Sequence, residues 1–145
     1  MSFRVVIVDD EEIDRYIARR NTQKWNADVE VTEFEDPDEA LALLSDEAKL
    51  TELAAGTEPV VLLLDINMPQ MTGFDLLKEV GNKLGLPTAR RLLLVAMLTS
   101  SDNPRDRAAA NASPLVDAYF VKPLTPTQLQ QVADLHAQLA NAKTP

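Results

Sequence analysis

The chain has no cysteine, which excludes a disulfide framework and any thiolate metal site and fits a reducing compartment. No apolar run approaches the roughly 20 residues that cross a bilayer. The opening MSFRVVIVDDEE lacks the basic start and long apolar region of a signal peptide. Together these absences predict a soluble, cytoplasmic protein with no membrane insertion. Positive charge is also scarce: 14 Lys and Arg stand against 23 Asp and Glu, for a formal net charge of −9. The basic residues are scattered, with short pairs only at Arg19-Arg20 and Arg90-Arg91. No basic face is therefore expected to meet phosphates, and no direct nucleic-acid binding. There are no repeats, no low-complexity tracts and no linker to a second domain. At 145 residues the chain is long enough for one domain with a core of its own, expected over 1–142 with a short tail at 143–145 and no output domain.

What is present is an alternation of apolar runs and helical patterns. FRVVIVDD reads as a buried strand ending at Asp9, and Glu11 to about Asn21 as a helix with Ile13, Ile17 and Tyr16 at helical spacing. VEVTEF alternates at Val29 and Val31, then meets Phe34 one place late, as a strand with a bent end would. Asp36 and Pro37 cap the next helix, which breaks near Ser45, and a second helical piece covers about Asp46 to Ala55. Val60 to Leu64 is the most apolar strand, running straight into Asp65. Gly73 to Lys83 is helical through Phe74, Leu77 and Val80, and GNKLGLPTARR reads as a long loop. LLLVAML ends at Thr99, Pro104 starts a helix to about Ala112, and DAYFV leads to Lys122-Pro123. A capping box at Thr125–Gln128 opens the last helix, with Leu129, Val132, Leu135 (or His136) and Leu139 on one face. Strand and helix alternate five times. Strands apolar on both faces predict an α/β fold, a doubly wound parallel sheet with helices on each side.

In such a sheet all strand carboxyl ends share one edge, where ligands bind. Asp9 and Asp10 follow strand one, Asp65 follows strand three, Thr99 strand four and Lys122 strand five. Three close carboxylates repel one another and call for a counter-charge, which a hard, oxygen-seeking cation such as Mg²⁺ supplies. A carboxylate so placed can act as a nucleophile toward phosphorus, with the metal and Lys122 neutralising the phosphoryl oxygens and Thr99 donating to one of them.

The motifs VDDEE, LLLDINMPQMTGFD, MLTSS and AYFVKP, in this order and at these distances, make essentially the whole chain resemble the receiver domain of two-component response regulators. The resemblance implies a flavodoxin-like (βα)5 fold with strand order 2-1-3-4-5. It implies Asp65 as phosphoacceptor, and Mg²⁺ held by Asp10 and Asp65, by the Asn67 backbone carbonyl and by Asp9 through water. It further implies Thr99 as the switch hydroxyl, Lys122 as the phosphoryl-binding lysine, Tyr119 as a rotamer switch and a cis bond before Pro123. The expected partners are a histidine kinase or histidine phosphotransfer protein that donates the phosphoryl group, and an output protein. A second copy of the chain is another candidate partner, through the face of the fourth helix, fifth strand and fifth helix. The chain would then be a phosphorylation switch and not an enzyme. The alternatives are an Mg²⁺-dependent phosphohydrolase working through an aspartyl phosphate, and a phosphorylation-independent adaptor. The Asp-x-Asp that such phosphatases commonly place after the first strand is replaced here by DDEE. The intact acidic pair, acceptor, threonine and lysine count against the adaptor.

Each residue also has a plainer reading. Asp9-Asp10 or Thr99-Ser100-Ser101, taken alone, would cap a helix. Lys122 alone would be solvated, and Tyr119 would be packing. His136 reads as structural or solvated, not as a ligand. Met68 and Met71 are expected to line the loop beside the pocket. NASPLVDAYF replaces the family's usual Gly-Ala before the last strand, and the segments 46–58 and 81–91 are longer than in the smallest receivers.

Overall fold

The computed structural model describes residues 3–142. Strands β1 (Arg4–Val8), β2 (Glu30–Phe34), β3 (Val60–Asp65), β4 (Leu93–Thr99) and β5 (Val116–Val121) form one parallel sheet in the order β2-β1-β3-β4-β5. Every residue of β3 and β4 is buried, because each strand has neighbours on both edges and helices over both faces. Alternate residues feed two cores. Val6, Val8, Leu62, Leu64, Val95 and Met97 face one core, and Val5, Ile7, Val61, Leu63, Leu94 and Ala96 face the other.

The first core is closed by α2 (Pro37–Leu44), α3 (Glu47–Ala54), α4 (Gly73–Leu84) and α5 (Leu86–Leu92), through residues such as Leu44, Leu50, Leu76 and Leu92. The second is closed by α1 (Glu12–Trp25) and α7 (Pro126–Ala142), through Ala18, Leu129 and Val132. Helix α6 (Pro104–Ala112) leads into β5. The expected box at Thr125–Gln128 forms in both directions, at 3.1 and 3.2 Å. Asp36 accepts the N–H of Asp38, and a further box joins Thr72 and Asp75 at the start of α4.

Several expectations need correction. The segment 81–91 is not a loop. Gly81 lies inside α4, and Gly85, at φ +83°, ends α4 and opens α5, whose Ala89 and Leu92 are buried. Two glycines and Pro87 suggest a breaker run, yet proline is at home in a helix's first turn and one interior glycine costs only about 1 kcal/mol. On α1 the buried residues are Ala18 and Thr22, whereas Ile13 is 73% and Tyr16 49% exposed. The helix also extends to Trp25 and ends with it. Strand β2 has no bent end: its pairing with β1 is regular through Val8 and Phe34. Val31 and Phe34 differ in parity because they pack into opposite cores. Met68 is a core residue, with Met71 packed against the same core.

The start of β5 pairs irregularly with β4. The β4–β5 register shifts between Val95 and Ala96, which pair with Val116 and Ala118. Asp117 lies between those partners, and its carboxylate accepts the Val95 N–H at 2.9 Å. The Lys122-Pro123 bond is cis, as expected, and so is Glu58-Pro59.

Candidate functional site

The site is built at the carboxyl edge of the sheet. Asp9 follows β1 with only 2% of its surface exposed. One carboxylate oxygen accepts the Glu11 N–H at 2.9 Å, the other accepts from Lys122 Nζ at 2.8 Å, and its carbonyl accepts from Arg15 at 2.9 Å. Asp65 is the last residue of β3, paired with Leu98 of β4 and 5% exposed. Seating α4 beside it requires glycine: a Cβ on Gly73 would collide with the Asp65 carbonyl oxygen and lie 2.9 Å from Met97 Cε.

Lys122 follows β5, and its own N–H donates to the Thr99 carbonyl at 2.8 Å, which ties the ends of β4 and β5 together. Its ammonium meets three carboxylates: Asp9 at 2.8 Å, Asp14 at 3.0 Å and Asp65 at 3.3 Å. Asp9, Asp10 and Asp65 form a second grouping, with one oxygen from each lying within 4.8 Å of the others. Four carboxylates against one ammonium leave three formal negative charges in a mostly buried place.

The electrostatics follow. Burial, then the charge of Asp9, pushes the Asp65 carboxyl up to about 6 in spite of Lys122. Burial alone would lower Lys122, but its hydrogen bond to Asp9, the charge of Asp65 and its hydrogen bond to Asp14 outweigh it and hold the ammonium above its ordinary range. Asp10 Oδ1 is buried and has no hydrogen-bond donor among the described residues. An orphaned carboxylate oxygen beside two further carboxylates fits a hard divalent cation, which is satisfied by oxygen ligands and retained waters.

The structure thus brings Asp9, Asp10, Asp65 and Lys122 together. Thr99 is fully buried at the end of β4, but its hydroxyl donates to the Ser101 carbonyl at 2.8 Å and accepts the Ser101 N–H at 3.2 Å. Its hydroxyl is turned to that turn and not to a carboxylate, and it does not cap α6, a role taken by Asn103. Asn67 is exposed, two residues beyond Asp65. Tyr119 lies on β5 opposite Met97, with its ring against the first core and its hydroxyl oxygen buried. Arg107 stacks on that ring at 4.6 Å while bonding Asp102 at 2.9 and 3.2 Å. His136 is structural, buried at the far edge of the sheet.

Sequence reasoning missed Asp14 and Arg15. An acidic residue in a helix's first turn ordinarily serves the helix dipole, so Asp14 carried no separate signal. Its place one helical turn after Asp10 was the available hint.

A family model described as the response regulator receiver domain matches residues 5–134. The chain is 30% identical over 120 residues to the two-component response regulator ORR13 of Oryza sativa subsp. japonica, a match covering 83% of this chain and 86% of that protein. Among solved structures, a two-component response regulator from Cytophaga hutchinsonii is 29% identical and superposes with a TM-score of 0.77 over 95% of this chain and 98% of that one. The chemotaxis protein CheY4 of Vibrio cholerae is 27% identical, with a TM-score of 0.67 over 93% of this chain and 98% of that one.

Proposed function

The chain belongs to the receiver-domain family of response regulators, whose general function is to accept a phosphoryl group, and from that premise we propose that Asp65 is the acceptor. The observation that carries this reading is the rigid placement of the Asp65 carboxylate at the end of a fully buried strand, within reach of one ammonium. An electron pair on an Asp65 carboxylate oxygen forms the new bond to phosphorus. The bond from phosphorus to the donor's leaving atom breaks, and that atom takes the pair. The nucleophile must be ionised, and a carboxyl held at about 6 is mostly so at neutral pH. Lys122 supplies positive charge to the transferred oxygens.

Asp9, Asp10, Asp65 and the Asn67 carbonyl are the residues that would hold Mg²⁺, whose charge, when bound, neutralises the phosphoryl oxygens. The donor class is a phosphohistidine on a histidine kinase or a phosphotransfer protein. The chain acts as a switch that reads out through protein contacts, not as a turnover enzyme. Phosphorylation puts acceptor oxygens beside Thr99, whose hydroxyl is committed to the nearby Ser101 backbone. Its movement would free Tyr119 to turn, against the Arg107 contact, and alter the face of α6, β5 and α7.

Labelling with acetyl phosphate and Mg²⁺, read by intact mass, tests the acceptor. The wild-type chain should gain one phosphoryl group and Asp65→Asn none; full labelling of Asp65→Asn, or continued phosphate release on a phosphate ester, would overturn the reading. Beryllofluoride, a phosphoryl mimic, tests the switch by NMR: Tyr119 should shift in the wild type and respond weakly in Thr99→Ala. A silent Tyr119 with a saturated pocket would move the output surface elsewhere.

A further inference from the structure

We propose that Asp14 is a positioning residue that holds the Lys122 ammonium on the α1 side of the pocket, so that a phosphoryl group on Asp65 must compete with it for Lys122. The inference rests on the reading of Asp65 as acceptor.

An ammonium has three N–H donors, and the three carboxylates at 2.8, 3.0 and 3.3 Å occupy all of them. None remains for a phosphoryl oxygen until one contact is given up. Asp9 and Asp65 belong to the triad that suits a cation, and a cation there would draw their charge away from Lys122. Asp14 stands outside the triad and keeps its full charge for the lysine.

Asp14 is also held in place. Its neighbour Arg15 donates to the Asp9 carbonyl at 2.9 Å and pairs with Glu33 at 3.3 Å, and Arg19 meets the same Glu33 at 2.6 Å. These contacts clamp the first turns of α1 to the ends of β1 and β2. At the same time the restraint is a soft one. The Asp14 side chain is 34% exposed, against 3% for Asp9 and 7% for Asp65, so water can replace the lysine on Asp14 more readily than on the other two. A cleft of about 300 Å³, lined by Asp14, Ser100, Leu98 and Lys122, leaves the ammonium room to move. A weak, fixed competitor of this kind sets how tightly the phosphorylated pocket closes without taking part in phosphoryl transfer.

The test uses the full chain as wild type, Asp14→Asn and Asp14→Glu. Beryllofluoride with saturating Mg²⁺ should bind Asp14→Asn about fivefold more tightly than wild type, with Asp14→Glu returning near the wild-type value. Lower repulsion between Asp14 and the anion would also tighten binding, so a second readout is taken without metal or anion. The Lys122 ¹⁵Nζ resonance, slowed in exchange by three bonds in the wild type, should broaden or shift in Asp14→Asn and return in Asp14→Glu. An unchanged beryllofluoride affinity, or an unchanged Lys122 resonance, overturns the proposal. Failure of the wild-type chain to bind beryllofluoride is a different result: it overturns the acceptor reading, and the competition proposed for Asp14 with it.

Discussion

Two buried polar places sit at opposite edges of the same sheet, one built on a shared N–H and the other on crowded carboxylates. At the amino edge, His136 of α7 places Nε2 at 2.8 Å from the Thr57 carbonyl and 2.9 Å from the Pro59 carbonyl, with its ring 4.9 Å from that of Phe3. Two carbonyl oxygens beside one ring nitrogen require a proton on Nε2, which they share. At the carboxyl edge, three carboxylates share one ammonium, and a fourth, that of Asp10, has a buried oxygen with no donor among the described residues. A donor held between two fixed carbonyls rigidifies a fold. Excess charge of one sign, held under burial, weakens the fold and persists where a ligand can relieve it.

The comparison can be broken at either edge. The largest stability loss is expected for His136→Ala, which removes packing against Phe3 and leaves two carbonyls without their donor, for a loss of about 3 kcal/mol in urea unfolding. Phosphorylation of Asp65 should proceed at the wild-type rate in the folded variant; loss of labelling would mean that the two edges are coupled.

The opposite sign is expected for Asp65→Asn. Asp65 binds its proton more tightly in the fold, at about 6, than in the unfolded chain, at 3.8. Wild-type stability should therefore fall as pH rises from about 4 to about 6, with the full penalty present at neutral pH. Asp65→Asn lacks that penalty and should be more stable by about 3 kcal/mol at neutral pH without divalent cation, with the gap closing below about pH 4. Chemical unfolding across this range measures it, and equal stabilities at neutral pH would show that Lys122 already compensates the buried charge.

The smallest change concerns the orphaned oxygen. Asp10→Ala should weaken Mg²⁺ binding about tenfold, or about 1.4 kcal/mol, by isothermal titration. Fluorescence would report poorly, because the single tryptophan, Trp25, ends α1 beside Phe3 at the far edge. Unchanged affinity would mean that the cation is held by other residues.

The sheet and most of the pocket were legible in the residues alone. Runs such as Val60 to Leu64 are short, apolar and without alternation, the pattern of a strand covered on both faces. A parallel sheet then carries Asp9, Asp65, Thr99 and Lys122 to one edge whatever the details of the helices. The caps at Asp36 and Thr125 could be read because capping is local, completed within three residues. Whatever depends on contacts between distant segments was settled by packing instead. His136 rather than Leu135 takes the buried place on α7, because two carbonyls before β3 await a donor there. Ala18 rather than Ile13 faces the core, because packing against the sheet and α7, and not spacing alone, decides which side of α1 turns inward. Asp14 joined the site for the same reason. Its partner Lys122 lies 108 residues away, and a helix's first turn gives no sign of which distant ammonium will meet it.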